Sequence, residues 1–169
     1  MMKQRIARVS LIGMLIFGLL LGGQILYKNN WTNGQLVKDS RQISGVLSAQ
    51  VVTENGQQIL EVKVDHVQNL KKVGEQLENI AGQRPIRFND QRTPELEKVL
   101  AQMEFPLQES VARGNFTEMQ RKLQELADQA GVTLELSMDN EGIYLNLTKG
   151  QAQLVEVIER HAQGKFLES

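Results

Sequence analysis

The chain has 169 residues, with 19 basic and 20 acidic side chains, no cysteine and only 5% aromatics. Without cysteine there is no disulfide, thiolate nucleophile or cysteine-based zinc site, and any core must be built from aliphatic residues. The first 27 residues hold Lys3, Arg5 and Arg8 and no acid, so the rest carries 16 basic against 20 acidic groups, a net −4 that argues against nucleic acid as a partner.

The opening stretch "MMKQRIARVSLIGMLIFGLLLGGQILYKNNW" reads as a membrane anchor. A basic tail over residues 1–8 precedes an uncharged run over residues 9–27, whose 19 residues come close to the roughly 20 that a helix needs to cross a bilayer. Tyr27 and Trp31 suit the interface, and Lys28 can snorkel past it. A cleaved signal peptide would want small residues two places before Gly22 and Gly23, where Leu20 and Leu21 stand. The lipoprotein route is closed because Gln24 occupies the place of the lipidated cysteine. The charge bias predicts a single-pass protein of the cell membrane, its N-terminus cytoplasmic and residues 28–169 outside the cytoplasm. The expected partners are membrane lipid through residues 9–27, and other envelope proteins or further copies of the chain. Asn30, Asn115 and Asn146 head Asn-x-Thr triplets, a loose glycosylation pattern.

After a linker over residues 28–33, a first α/β unit is predicted over residues 34–90. A weak helical pattern runs from Gly34 to Ile43, and "GVLSAQVVT" is strand-like. Asn55-Gly56 is the favoured dipeptide of a tight hairpin, and "ILEVKVD" alternates with Leu60, Val62 and Val64 on one face. Val67 to Ala81 carries Leu70, Val73, Leu77 and Ile80 at helical spacing before Gly82, and "RPIRF" reads as a third strand. The order is α-β-β-α-β.

A helical connector is expected over residues 91–114. Thr93 and Pro94 open it, Leu96, Val99, Leu100 and Met103 form its apolar face, and Phe105-Pro106 is expected to break it before a second short helix, Leu107 to Arg113. The second α/β unit, residues 115–169, begins with Asn115 and Glu118 in a capping-box arrangement, followed by the apolar series Phe116, Met119, Leu123, Leu126 and Ala130. "VTLELSM" and "IYLNL" alternate around "DNEG". Gln151 to Ala162 is predicted as a helix with Leu154, Val157, Ile158 and His161 inward, and Lys165 to Leu167 as a short last strand. The first unit's order is thus expected to repeat. The predicted fold class is α+β: a transmembrane helix, then two small α-β-β-α(-β) units joined by a helical segment.

No catalytic, cofactor-binding or metal-ligating residue is assigned, no cofactor is implied, and no enzyme is expected. Asp65-His66 is the only adjacent acid–histidine pair, and strand neighbours normally point apart. His161 has no second histidine at ligand spacing. Glu95, Glu97 and Glu104, like Glu156 and Glu159, alternate with apolar positions as solvated faces do. Lys149-Gly150 stands at an expected strand–helix junction, where a helix N-terminus can hold an anion. Open sheet edges point instead to interaction, with Val62 as an expected edge position.

The pattern "ISGVLSAQVV…ILEVKV…LKKVGEQLENIAG…PIRF", within Gln35 to Asn89, resembles the ring-building motif of secretion-machine and sporulation-channel proteins. The run "FTEMQRKLQELADQAGVTLELSMDNEGIYLNLTKGQAQLVEVIER" is similar to the ferredoxin-like periplasmic domain of pilus and type II secretion inner-membrane alignment proteins. Both resemblances imply an extracytoplasmic scaffold or assembly protein of a bacterial envelope complex. The alternative is a ligand-sensing or inhibitory ectodomain that binds a small molecule or peptide.

Overall fold

The computed structural model describes residues 33–160 and 166–167. The tail, the anchor expected over residues 9–27 and His161 lie outside the described residues. No helix among the described residues is long and apolar enough to cross a membrane. The chain divides into Met1–Leu36 and Val37–Ser169, and the second unit holds all the strands described below.

The fold is α+β. A helix with described residues 33–40 (α1) leads into β1 (Val46–Glu54) and β2 (Gln57–Val64), an antiparallel hairpin. Its turn falls on Asn55 and Gly56, with φ values of 49° and 80°, as Asn-Gly in a two-residue hairpin requires. Helix α2 (Leu70–Ala81) then crosses to β3 (Ile86–Asn89), which lies parallel to β2. The Asn69 side chain accepts from the Lys72 N–H at 2.9 Å and starts this helix, and Gly82 ends it at φ 65°. A two-residue strand, β7 (Phe166–Leu167), extends this first sheet parallel to β3, giving the order β1-β2-β3-β7. Phe166 stacks on Phe88 with ring centroids 5.9 Å apart.

Helices α3 (Pro94–Arg113) and α4 (Phe116–Ala130) pack on each other and on a second sheet. That sheet is an antiparallel meander of β4 (Thr133–Met138), β5 (Gly142–Lys149) and β6 (Ala152–Glu159). Ile143, Leu145, Leu147 and Leu154 meet Leu96, Met103, Leu107, Met119 and Leu123 in one apolar cluster. The opposite face of β5 is buried too, because α2 contacts β4 and β5 on one side and β3 on the other. The layers therefore run α3/α4, second sheet, α2, first sheet.

Three expectations are corrected. The predicted helix over Gln151–Ala162 is strand β6 through Glu159, so the second half does not repeat the α-β-β-α order of the first. Gly150, at φ 61°, turns the chain straight back along β5, and burial falls on both faces: Leu154 and Ile158 join the cluster, while Gln153 and Val155 are buried on the far side. A strand buried on both faces loses its period-two signature, and the spacing of Leu154, Val157 and Ile158 imitates a helix. Second, α3 runs unbroken through Pro106. An interior proline costs a helix about 3 kcal/mol, but Met103 and Leu107 on either side of it are fully packed and offset the lost bond. Third, Val62 is not at an edge: β2 lies between β1 and β3, and Val62 is fully buried.

Gly74 shows how closely α2 approaches the second sheet. A Cβ at this position would stand 3.0 Å from Tyr144 Cε1 and 3.6 Å from Phe166 Cζ. Gly→Ala inside a helix ordinarily stabilises by about 1 kcal/mol. Gly74→Ala is expected to lower the urea midpoint instead, and a raised midpoint would show that the Tyr144 ring yields without cost.

Candidate functional site

The most constrained polar site lies where the segment between β2 and α2 crosses the second sheet. Val67 sits outside any strand, yet its main chain is buried and both its polar groups are paired. Its N–H donates to Gln153 Oε1 at 3.1 Å, and its carbonyl accepts from Gln153 Nε2 at 3.1 Å and from Asn146 Nδ2 at 2.8 Å. Gln153 Nε2 also reaches Asn146 Oδ1 at 2.9 Å, and Asn146 Nδ2 reaches Glu135 Oε2 at 3.2 Å. The two amides project from the same face of β5 and β6, and Gln153 treats Val67 as a neighbouring strand would. Asn146 is thereby committed to the interior, and its Asn-x-Thr triplet is closed to a glycan. Sequence reading missed both residues as buried polar groups; the signal was an amide inside each of two otherwise apolar strand runs.

This pinned segment carries Asp65 and His66. His66 adopts φ 51°, a backbone region that side chains rarely occupy, and its imidazole is 62% exposed. Its Nδ1 lies 2.5 Å from Asp65 Oδ1, but off the line of a well-formed hydrogen bond, and Oδ1 is buried with no hydrogen-bond partner. The pair is in contact, contrary to the expectation for strand neighbours, because the left-handed turn at His66 folds the ring back. No group of three His, Cys, Asp or Glu among the described residues is placed to hold a metal ion.

The segment after β3 makes a second junction. Asp90, its side chain 1% exposed, accepts from the Val155 N–H at 2.8 Å and takes Arg92 in a two-pronged pair at 2.9 Å. The Asp90 hydrogen bond and the Coulomb attraction of Asp90 and Glu156 raise the Arg92 pKa against burial. The Gln153 N–H donates to the Gln91 carbonyl at 3.3 Å, adding a bridge to β6.

Two of the glutamates singled out in sequence, Glu104 and Glu156, come together around one cleft of about 420 Å³ between α3 and β6. Leu100, Leu107 and Ile158 supply its apolar lining. Glu95 is elsewhere, 2.5 Å from Lys149 Nζ, and Glu159 accepts from the Phe166 N–H at 2.8 Å. The anion site imagined at Lys149-Gly150 has no helix to form it, since the chain turns into β6 and Lys149 is tied to Glu95 and the Ala130 carbonyl.

At the β4–β5 turn, burial works against the charge of Asp139. The N–H groups of Gly142 at 2.9 Å and Glu141 at 2.8 Å, with Lys71 and the Tyr144 hydroxyl, outweigh it and hold the carboxyl below the usual range. Burial, then the charges of Asp139 and Glu78, push the Tyr144 phenol far up.

No family model, no curated protein and no solved structure matches the chain.

Gln153→Leu strands the Val67 N–H and should cost about 1–3 kcal/mol in a urea melt. Gln153→Glu keeps the shape but loses the donor, so its deficit should shrink as pH falls and the new carboxyl takes up a proton. The sign for Asp139 is opposite. A carboxyl whose folded pKa is depressed gives stability present above the unfolded value near 4 and lost as pH falls through the folded one. Asp139→Asn should therefore flatten the fall in stability between about pH 5 and pH 2, and an unchanged acid limb would count against that role.

Proposed function

We propose that this chain is a membrane-anchored, extracytoplasmic scaffold or assembly protein of a bacterial envelope complex, working by protein–protein contact. The anchor comes from the uncharged run over residues 9–27. The observation that carries the interaction reading is β1, a nine-residue strand that among the described residues has a strand partner on one side only. Its pairing with β2 shifts register between Val46 and Ser48, and Leu47, the extra residue, stands 54% exposed. A bulge discourages indiscriminate pairing along an edge, while an exposed leucine beside it offers a side-chain anchor to a chosen strand. Main-chain pairing for affinity and a side-chain anchor for specificity are the elements of strand addition. The order α1-β1-β2-α2-β3 over residues 33–89 supports the likeness to ring-building modules.

In a two-residue hairpin, Glu54 and Gln57 form the bonded pair next to the turn, so the Thr53 N–H points away from β2. Thr53→Pro removes an outward donor and leaves the β1–β2 ladder intact. Thr53→Pro and Leu47→Lys are expected to change stability by under about 0.5 kcal/mol. Both should strip partner proteins from the full-length chain extracted from its native membrane, read as a drop in native mass. Folded variants that keep the parental mass would sink the edge-strand reading.

A further inference from the structure

We infer that α3 is a self-association surface, through which two copies of this chain pair antiparallel about Phe105. The inference rests on α3 alone and not on the β1 reading. Phe105 is 77% exposed in the middle of a 20-residue helix, whereas its neighbours Met103 and Leu107 are buried in the core. At 100° per residue, the face centred on Phe105 also carries Lys98, Ala101, Gln102, Gln108, Glu109 and Ala112. Uncharged amides and methyl groups thus flank the ring, with a cation toward the N-terminal end of the helix and an anion toward the C-terminal end.

A two-fold interface must be self-complementary, because each residue meets the symmetry-related set on the other copy. This face satisfies that condition. Antiparallel pairing about Phe105 sets Gln102 opposite Gln108 of the second copy, Ala101 opposite its Glu109 and Lys98 opposite its Ala112. Alanine at two of these positions keeps the crossing helices close, and it leaves Lys98 within one helical turn of that Glu109, which Arg113 and Lys122 flank within its own chain. Glutamine amides both donate and accept, so they pair with their own kind without a penalty of charge. The register also sets the exposed Phe105 rings of the two copies against each other on the two-fold axis, and an aromatic pair contributes beyond the area it buries. The other exposed large hydrophobic residue among those described is Leu47, on β1.

The absence of cysteine makes the test clean. Full-length chain in detergent micelles would carry Gln102→Cys, Gln108→Cys or, as a control on the β1–β2 turn, Gln57→Cys, and be treated with a short bis-maleimide. The two α3 positions are expected to cross-link copies and the hairpin position is not. A mixture of the two α3 variants should cross-link faster than either alone, because antiparallel pairing sets positions 102 and 108 face to face. Light scattering should find a dimer whose dissociation constant rises roughly thirtyfold in Phe105→Ala, the size of an aromatic hot spot. Thermal melting should confirm that the variant is folded, since the residue contributes nothing to the core. A single-copy mass at every concentration overturns the inference. So does a Phe105→Ala variant that dimerises as the parent does, which would move association to the anchor or to β1. Cross-linking from Gln57→Cys equal to that from Gln102→Cys overturns it as well, and a mixture no faster than its components overturns the antiparallel register.

Discussion

The amide clamp on Val67 is the constraint on which the arrangement of the two sheets depends. A main chain that leaves a strand and passes through the interior before entering a helix must find partners for its N–H and carbonyl, because unpaired buried groups cost about 1–3 kcal/mol each. Gln153 supplies a donor and an acceptor at strand spacing, and Asn146 supplies a second donor. Much of the other contact between the halves runs across α2, where Leu70, Val73 and Leu77 are apolar and would tolerate sliding. Directional hydrogen bonds do not tolerate it. The clamp therefore sets where α2 begins, and with it the approach of Gly74 to Tyr144.

Charge plays a different part on the outside and the inside. The pairs Arg121–Glu125 and Arg113–Glu109 lie along solvent-facing helices, where such pairs contribute little. Arg87 holds Glu54 through two bonds of 2.8 Å across the open face of the first sheet, and Gln50 pairs with Glu61 beside it. Asp90 is the exception. It is buried, shared between Arg92 and the Val155 N–H, and it fastens the strand-to-helix connection to β6. Removing either partner from so buried a pair leaves a charge without compensation. Val67 is held by side chains of β5 and β6 and the Asp90 segment by β6 alone, while α3 and α4 cover the sheet face opposite Val67.

Local signals were legible wherever a single residue type fixes the backbone. Asn55-Gly56 specified the hairpin, Thr93-Pro94 the start of α3, and Gly131, at φ 63°, the end of α4. Asn115 does begin α4, but its amide donates to Glu118 at 2.6 Å and caps no main-chain N–H, so the motif marked the place and not the bonding. Of the candidate sites, Asp65 and His66 could be named in sequence, while their contact depended on a left-handed turn. Glu104 and Glu156 were assigned to separate clusters, and no spacing rule joins residues from a helix and a strand 52 positions apart.

The sequence by itself determined the aliphatic core, the hairpin turn, the glycine ends of α2 and α4 and the α+β class, because these follow from composition and from dihedral preferences within a few residues. Tertiary structure alone decided that Ala152–Glu159 is a strand, that Pro106 lies inside a helix, that β2 is central and that two amides face inward. Each of those outcomes turns on what covers a second face. A chain read one residue at a time shows the period of a single face, and β5, β6 and α3 are held by partners that arrive from distant positions. Where two faces are buried, periodicity no longer distinguishes helix from strand, and only the packed neighbours do.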